Sequence, residues 1–128
     1  MKGLLDTHAF LWFTLDDSQL SPTAKRFIES TTNQIFVSPA SIWEIAIKIR
    51  LGKYNLAYPF ENFIEQQLNI NSFQLLPILP NHIAPLARLD LHHKDPFDRL
   101  LVCQALVESI PIISGDRAFD RYGVSRIW

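Results

Sequence analysis

Four acidic residues stand where folding could gather them: Asp6, Glu44, Asp98 and Asp116. Asp6 directly follows the apolar run Gly3-Leu4-Leu5, and the turn Gly115-Asp116-Arg117 follows Ile112-Ile113-Ser114. Glu44 falls in the second turn of a helix opened by Ser38-Pro39, and Asp98 in the first turn of one opened by Asp95-Pro96. Clustered carboxylates repel and raise one another's pKa, so a site built from them needs a cation. An oxygen-only donor set suits Mg2+ or Mn2+; zinc would call for Cys and His. A Mg2+ held by few carboxylates keeps several waters. One of these can be deprotonated to attack a phosphodiester while the metal stabilises the charge that develops. The reading is that Asp6, Glu44, Asp98 and Asp116 share a cleft, hold a divalent metal and position water, none acting as a nucleophile. Thr7 and Ser114 carry hydroxyls beside this cleft that can orient an acid or a water.

Each residue also has an ordinary role. Asp6 can cap the helix that follows it. Glu44 can pair with Lys48 at i+4, although its neighbours Trp43 and Ile45 argue against a surface position. Asp116 can be a plain turn residue. Asp95 serves as an N-cap, with Pro96 at the first helical position, and one cap leaves Asp98 unexplained. For Thr7 and Ser114 the ordinary role is strand-end hydrogen bonding. Cys103 reads as core. His92 and His93 have no partner at ligand spacing and read as exposed or phosphate-facing.

The elements that must position the acids follow from apolar periodicity. Short buried strands are expected at residues 3–5, 35–37, 73–78 and 112–114, with a last one, at an edge, over 124–128. Helices are expected from Ala9, from Ser21-Pro22, from Ala40 to Leu51 ending at Gly52, from Pro59, from an Asn81 cap to Leu89, and from Asp95. Short apolar strands alternating with helices predict an α/β fold with a mostly parallel sheet. In such sheets ligands bind at the carboxyl ends of the strands. Asp6 and Asp116 belong to that edge, and Glu44 and Asp98 lie within about two helical turns, ~10 Å, of it.

With 128 residues, 48% of them apolar and 12% aromatic, the chain is expected to form a single domain, 1–128, with a substantial core. No apolar run is long enough to span a bilayer, so no membrane partner is expected. Asp6 leaves no room for a signal-peptide core, and a lone cysteine excludes an internal disulfide; a cytoplasmic location is expected. The net charge of −1 is unlike that of a protein holding nucleic acid by charge alone. RNA contact would depend on the metal and on local clusters such as Lys48/Arg50/Lys53 and Arg117/Arg121, whose ordinary reading is a solvated face.

Four segments together resemble the PIN-domain nucleases, and more narrowly the VapC-like toxins of type II toxin–antitoxin pairs. They are Leu4-Leu5-Asp6-Thr7-His8, Ser38-Pro39-Ala40-Ser41-Ile42-Trp43-Glu44-Ile45, His92-His93-Lys94-Asp95-Pro96-Phe97-Asp98-Arg99 and Ser114-Gly115-Asp116. The third is the specific one. The resemblance implies a three-layer α/β/α sandwich and Mg2+- or Mn2+-dependent endoribonuclease activity. It implies an acidic quartet at Asp6, Glu44, Asp98 and Asp116, with Asp6 and Asp98 as direct ligands and the other two completing the shell or holding water. Asp95 matches a recurrent acid but is kept as a cap. The resemblance also implies a homodimer and a cognate antitoxin whose tail covers the site. Two rivals stand beside it: a catalytically silent interaction module on the same fold, and an aspartyl-phosphate phosphotransfer domain. The second lacks a Lys at the end of a late strand.

Overall fold

A computed structural model describes residues 1–128. Its centre is a five-stranded sheet: β1 (Lys2–Leu5), β2 (Gln34–Val37), β3 (Gln74–Leu75), β4 (Ile112–Ile113) and β5 (Arg126–Ile127). The order is β3-β2-β1-β4-β5 and every pairing is parallel. Six helices cover it: α1 (Thr7–Thr14), α2 (Pro22–Glu29), α3 (Pro39–Arg50), α4 (Phe60–Ile70), α5 (Pro80–Ile83) and α6 (Pro96–Glu108). Two 3-10 segments, Ala84–Arg88 and Arg117–Tyr122, complete the chain.

Strand side chains alternate between two cores, because successive residues point to opposite faces of a sheet. Leu5, Ile35, Val37 and Ile113 pack on one side with Phe10, Ala24, Ile45, Phe63 and Phe73. Leu4 and Ile112 pack on the other side with Leu101, Val102, Ala105 and Phe119. Both faces are therefore buried, which makes the sandwich three-layered and explains why its strands read as continuous apolar runs. Gly3 is required here: a Cβ would come within 2.8 Å of Phe27 and 3.0 Å of Ile113.

The local signals mostly operate as their chemistry dictates. Ser21, Ser38 and Asp95 cap α2, α3 and α6, each followed by Pro at the first position. Gly52 lies just beyond α3 at φ +76°. Four details differ from the sequence expectation. α1 begins at Thr7, since Asp6 is itself the cap. The expected strand over 73–78 pairs only at Gln74–Leu75. Asn81 does not cap: α5 starts at Pro80, and His82 Nδ1 accepts the Leu79 N–H at 3.0 Å. Pro85 then tightens the continuation into a 3-10 turn. The turn after Asp116 is likewise a 3-10 segment, which brings Tyr122 into hydrogen-bond contact with His93.

Candidate active site

Parallel pairing puts the ends of β1, β2 and β4 on one edge, and Asp6, Ser38 and Ser114 leave from it. Asp6 is buried, 6% exposed, and its Oδ1 accepts the Ala9 N–H at 2.7 Å. Its ordinary capping role is thus real, but it occupies one oxygen only. Burial pushes the Asp6 carboxyl above its usual pKa; the Ser114 hydroxyl, the Ala9 N–H and His8 pull it back, and Asp116 adds to the rise.

Glu44 is 4% exposed although it lies between Trp43, which is 61% exposed, and the fully buried Ile45. The Thr7 hydroxyl lies 2.6 Å from Glu44 Oε1 and 3.1 Å from the Ser41 hydroxyl. Lys48 Nζ is 3.1 Å from Glu44 Oε2. The i+4 pair therefore forms, but as a largely buried contact that neutralises a carboxylate inside the protein. Lys48 also lies 5.4 Å from the centre of the Tyr54 ring. It is therefore not the free cation that its place in a basic cluster suggested, and the Glu44 contact holds its pKa up against partial burial.

Asp98 enters from the opposite side of the sheet. α6 returns into β4, so its N-terminus lies at the strands' carboxyl edge, and the Trp43 and Phe97 rings meet edge-on at 5.0 Å between centroids. Asp95 Oδ1 accepts from Phe97 N–H at 2.7 Å and Asp98 N–H at 3.4 Å, so Asp95 caps the helix alone and the Asp98 carboxylate is left free of helix duty. Its pKa is pushed up to about 7, by burial first and then by Asp95, Glu44 and Asp6, with His93 opposing.

Asp116 caps its 3-10 segment, accepting the Ala118 N–H at 2.9 Å, and its own N–H donates to the Ser114 hydroxyl at 3.0 Å. Its second oxygen, Oδ2, lies 2.8 Å from His93 Nε2. Partial burial pushes its carboxyl up, but the hydrogen bond from His93, the Ala118 N–H and the charge of Arg126 hold it below the usual range.

His93 is where the sequence expectation fails. It is buried, not exposed, while its neighbour His92 is exposed and meets Tyr122 edge-on. His93 stacks on the Tyr122 ring at 5.5 Å, its backbone N–H donates to the Tyr122 hydroxyl at 2.8 Å, and its Nδ1 is 3.1 Å from the same oxygen. One assignment satisfies all three atoms: Tyr122 accepts the backbone N–H and donates to Nδ1, leaving Nε2–H to donate to Asp116. No sequence signal at ligand spacing could have found this, because Tyr122 and Asp116 reach His93 only through the 3-10 segment.

His93, Asp98 and Asp116 each offer a donor atom, all within 4.8 Å of one another. With His93 Nε2 carrying a proton, the atoms available to a cation are carboxylate oxygens. The residues present therefore fit a hard divalent cation: an oxygen donor set in which burial first, then Asp95, Glu44 and Asp6, raise the Asp98 carboxyl to about 7.

The sequence matches the PIN-domain family over residues 3–125. The chain belongs to the PIN-domain family. This is a family of nucleases. Among solved structures with the same fold is VapBC2 from Rickettsia felis bound to a DNA fragment from its promoter, 12% identical with a TM-score of 0.73, covering 98% of this chain and 97% of that one. VapBC-1 from nontypeable Haemophilus influenzae is 15% identical with a TM-score of 0.68, covering 98% and 96%. FitAcB from Neisseria gonorrhoeae is 16% identical with a TM-score of 0.62, covering 97% and 95%. Comparison with curated proteins gave no match. No helix of this PIN-domain protein is long and apolar enough to cross a membrane.

Proposed function

We propose that this PIN-domain protein is a Mg2+- or Mn2+-dependent endoribonuclease, the toxin of a toxin–antitoxin pair, acting in the cytoplasm as a homodimer restrained by a cognate antitoxin. The observation that carries the nuclease reading is geometric: donor atoms of Asp98, Asp116 and His93 lie within 4.8 Å of one another, and burial first, then Asp95, Glu44 and Asp6, push the Asp98 carboxyl up to about 7. Retained charge of this kind costs stability unless a cation offsets it. That cost argues against a silent interaction module.

In this reading Asp6, Asp98 and Asp116 hold the metal, and Glu44 completes the cluster from the α3 side. Bound Mg2+ or Mn2+ would supply a water of lowered pKa and positive charge for the developing phosphorane. The rest of the work belongs to the chain. Thr7 and Lys48 hold both oxygens of Glu44 in place, so its charge is fixed in direction. Ser114 steadies Asp6 and the backbone of Asp116, and His93, held by Tyr122, aims Asp116. Outer partners of this kind are what set the geometry and basicity of ligating carboxylates. The phosphotransfer rival needs a Lys poised at a strand end, whereas the Lys beside this site is on α3 and committed to Glu44. The toxin–antitoxin assignment takes its support from the VapBC and FitAB folds.

The test is hydrolysis of short single-stranded RNAs with Mg2+ or Mn2+. Cleavage abolished by a chelator and by Asp98→Asn is expected. Equal cutting by wild type and Asp98→Asn, or stable labelling of an aspartate by a phosphate mimic, would overturn the assignment.

A further inference from the structure

Beside the carboxylates runs a trough that the chemistry above does not use. It opens at Asp6 and Asp116, has a volume of about 460 Å³, and is walled by His8, Trp12, Gln19 and Trp128 over the backbone of Gly115. His8, Trp12 and Gln19 also line a second hollow of about 430 Å³, which adds Lys53 and Tyr54. The two hollows thus adjoin at these three side chains. His8 is exposed on the first turn of α1, one turn before Trp12, and their ring centroids are 5.4 Å apart. Trp12 and Trp128 lie 5.9 Å apart, each packed in part against the core and in part open. Gly115 permits this: a Cβ there would come within 2.9 Å of the Trp128 indole, so only a bare backbone lets the ring settle against the loop that carries Asp116.

Aromatic planes next to a groove that carries a cation are what single-stranded nucleic acid binds, since every base has a π face and successive bases stack on such platforms. A phosphodiester lying at Asp6 and Asp116 would place its flanking base at the mouth of this trough. We propose that the trough is a nucleobase subsite: a base flanking the cleaved phosphate stacks against His8, Trp12 and Trp128, and the strand continues toward Tyr54 and Lys53. This rests on the nuclease reading above and gives it a substrate class, unpaired RNA. A duplex keeps its bases stacked on each other and has none to offer.

The test separates binding from cutting. The protein Trp43→Phe, with its four acids intact, leaves Trp12 and Trp128 as its only indoles. It is titrated in Ca2+, a hard cation that oxygen donors also take, with a short oligoadenylate, with an abasic strand of equal length, and with the paired duplex. The oligoadenylate is expected to quench the indole fluorescence and to bind at least about fivefold more tightly than the abasic strand, as aromatic–base stacking requires. His8→Ala and Trp12→Leu are expected to erase that preference while leaving the weak abasic affinity in place. Because Trp12 packs in part against the core, circular dichroism of each variant and the retained affinity for the abasic strand separate loss of the subsite from loss of the fold. Equal affinity for the two strands, quenching by the duplex as strong as by the single strand, or unaltered preference in both variants would overturn the subsite. Absent RNA hydrolysis by wild type would instead sink the nuclease reading, which this titration does not measure.

Discussion

Replacing Asp98 with Asn should stabilise the metal-free protein at neutral pH and abolish its response to metal. Asp98 has an ordinary pKa of 3.8 when unfolded and about 7 when folded. The folded state therefore holds a proton that the unfolded state has released throughout that interval. Below pH 3.8 both states are protonated and Asp98 costs nothing. As pH rises toward 7 the native protein loses stability relative to the unfolded chain, and the loss is complete above 7. Three pH units at about 1.4 kcal/mol each give a ceiling of about 4 kcal/mol. Solvent relaxes part of the repulsion at a half-buried group, so about 2 kcal/mol is the working figure. For a chain of this length that is roughly an 8 °C rise in Tm. The assay is thermal unfolding of both proteins from pH 4 to pH 8, with chelator and then with Mn2+. The variant should match wild type near pH 4 and exceed it at pH 8. Mn2+ at a hundredfold excess over Kd should then raise wild type by about 2.7 kcal/mol and leave the variant unmoved. A variant no more stable than wild type at pH 8 without metal would refute the burial of the Asp98 charge among other carboxylates on which the site rests. So would equal stabilisation of both by Mn2+.

Three further outcomes follow from the same geometry. Asp95→Ala removes a cap and should cost about 1 kcal/mol of stability by denaturant unfolding, while lowering the pKa of Asp98, whose largest repulsive neighbour is Asp95; an NMR titration of the Asp98 carboxyl checks the direction. Thr7→Val leaves one oxygen of buried Glu44 without its donor and should cost about 1–3 kcal/mol, with Lys48 now the sole partner; unchanged stability would mean that the 2.6 Å contact contributes nothing. His93→Ala frees Asp116 from its positioning partner and should weaken Mn2+ binding by calorimetry about 10- to 100-fold, with a fold intact by circular dichroism.

Much of the fold was legible because its signals are local. Ser21-Pro22, Ser38-Pro39 and Asp95-Pro96 each place a side-chain oxygen over free N–H groups, and the caps form as written. The strands read as apolar because both faces of the sheet are covered. Where the expectation failed, a tertiary partner had intervened. Residues 76–78 do not continue β3, and the Leu76 and Pro77 carbonyls instead accept from the buried Gln104 amide of α6. Asn81 was a better cap by composition, yet His82 supplies the bond from within the helix and spans to Glu108 at 2.8 Å.

By itself the sequence determined which residues are acidic, where the helices capped at Ser21, Ser38 and Asp95 begin, and that Asp6 and Asp116 leave parallel strands at one edge. Only the tertiary structure decided that Asp98 comes together with Asp116 and His93, that Lys48 turns inward, and that His93 is buried between Tyr122 and Asp116. The physical reason is range. Caps and periodicity act over a few residues of contiguous chain, whereas repulsion and hydrogen bonding between side chains depend on distances that exist only once helices from both faces close on the sheet.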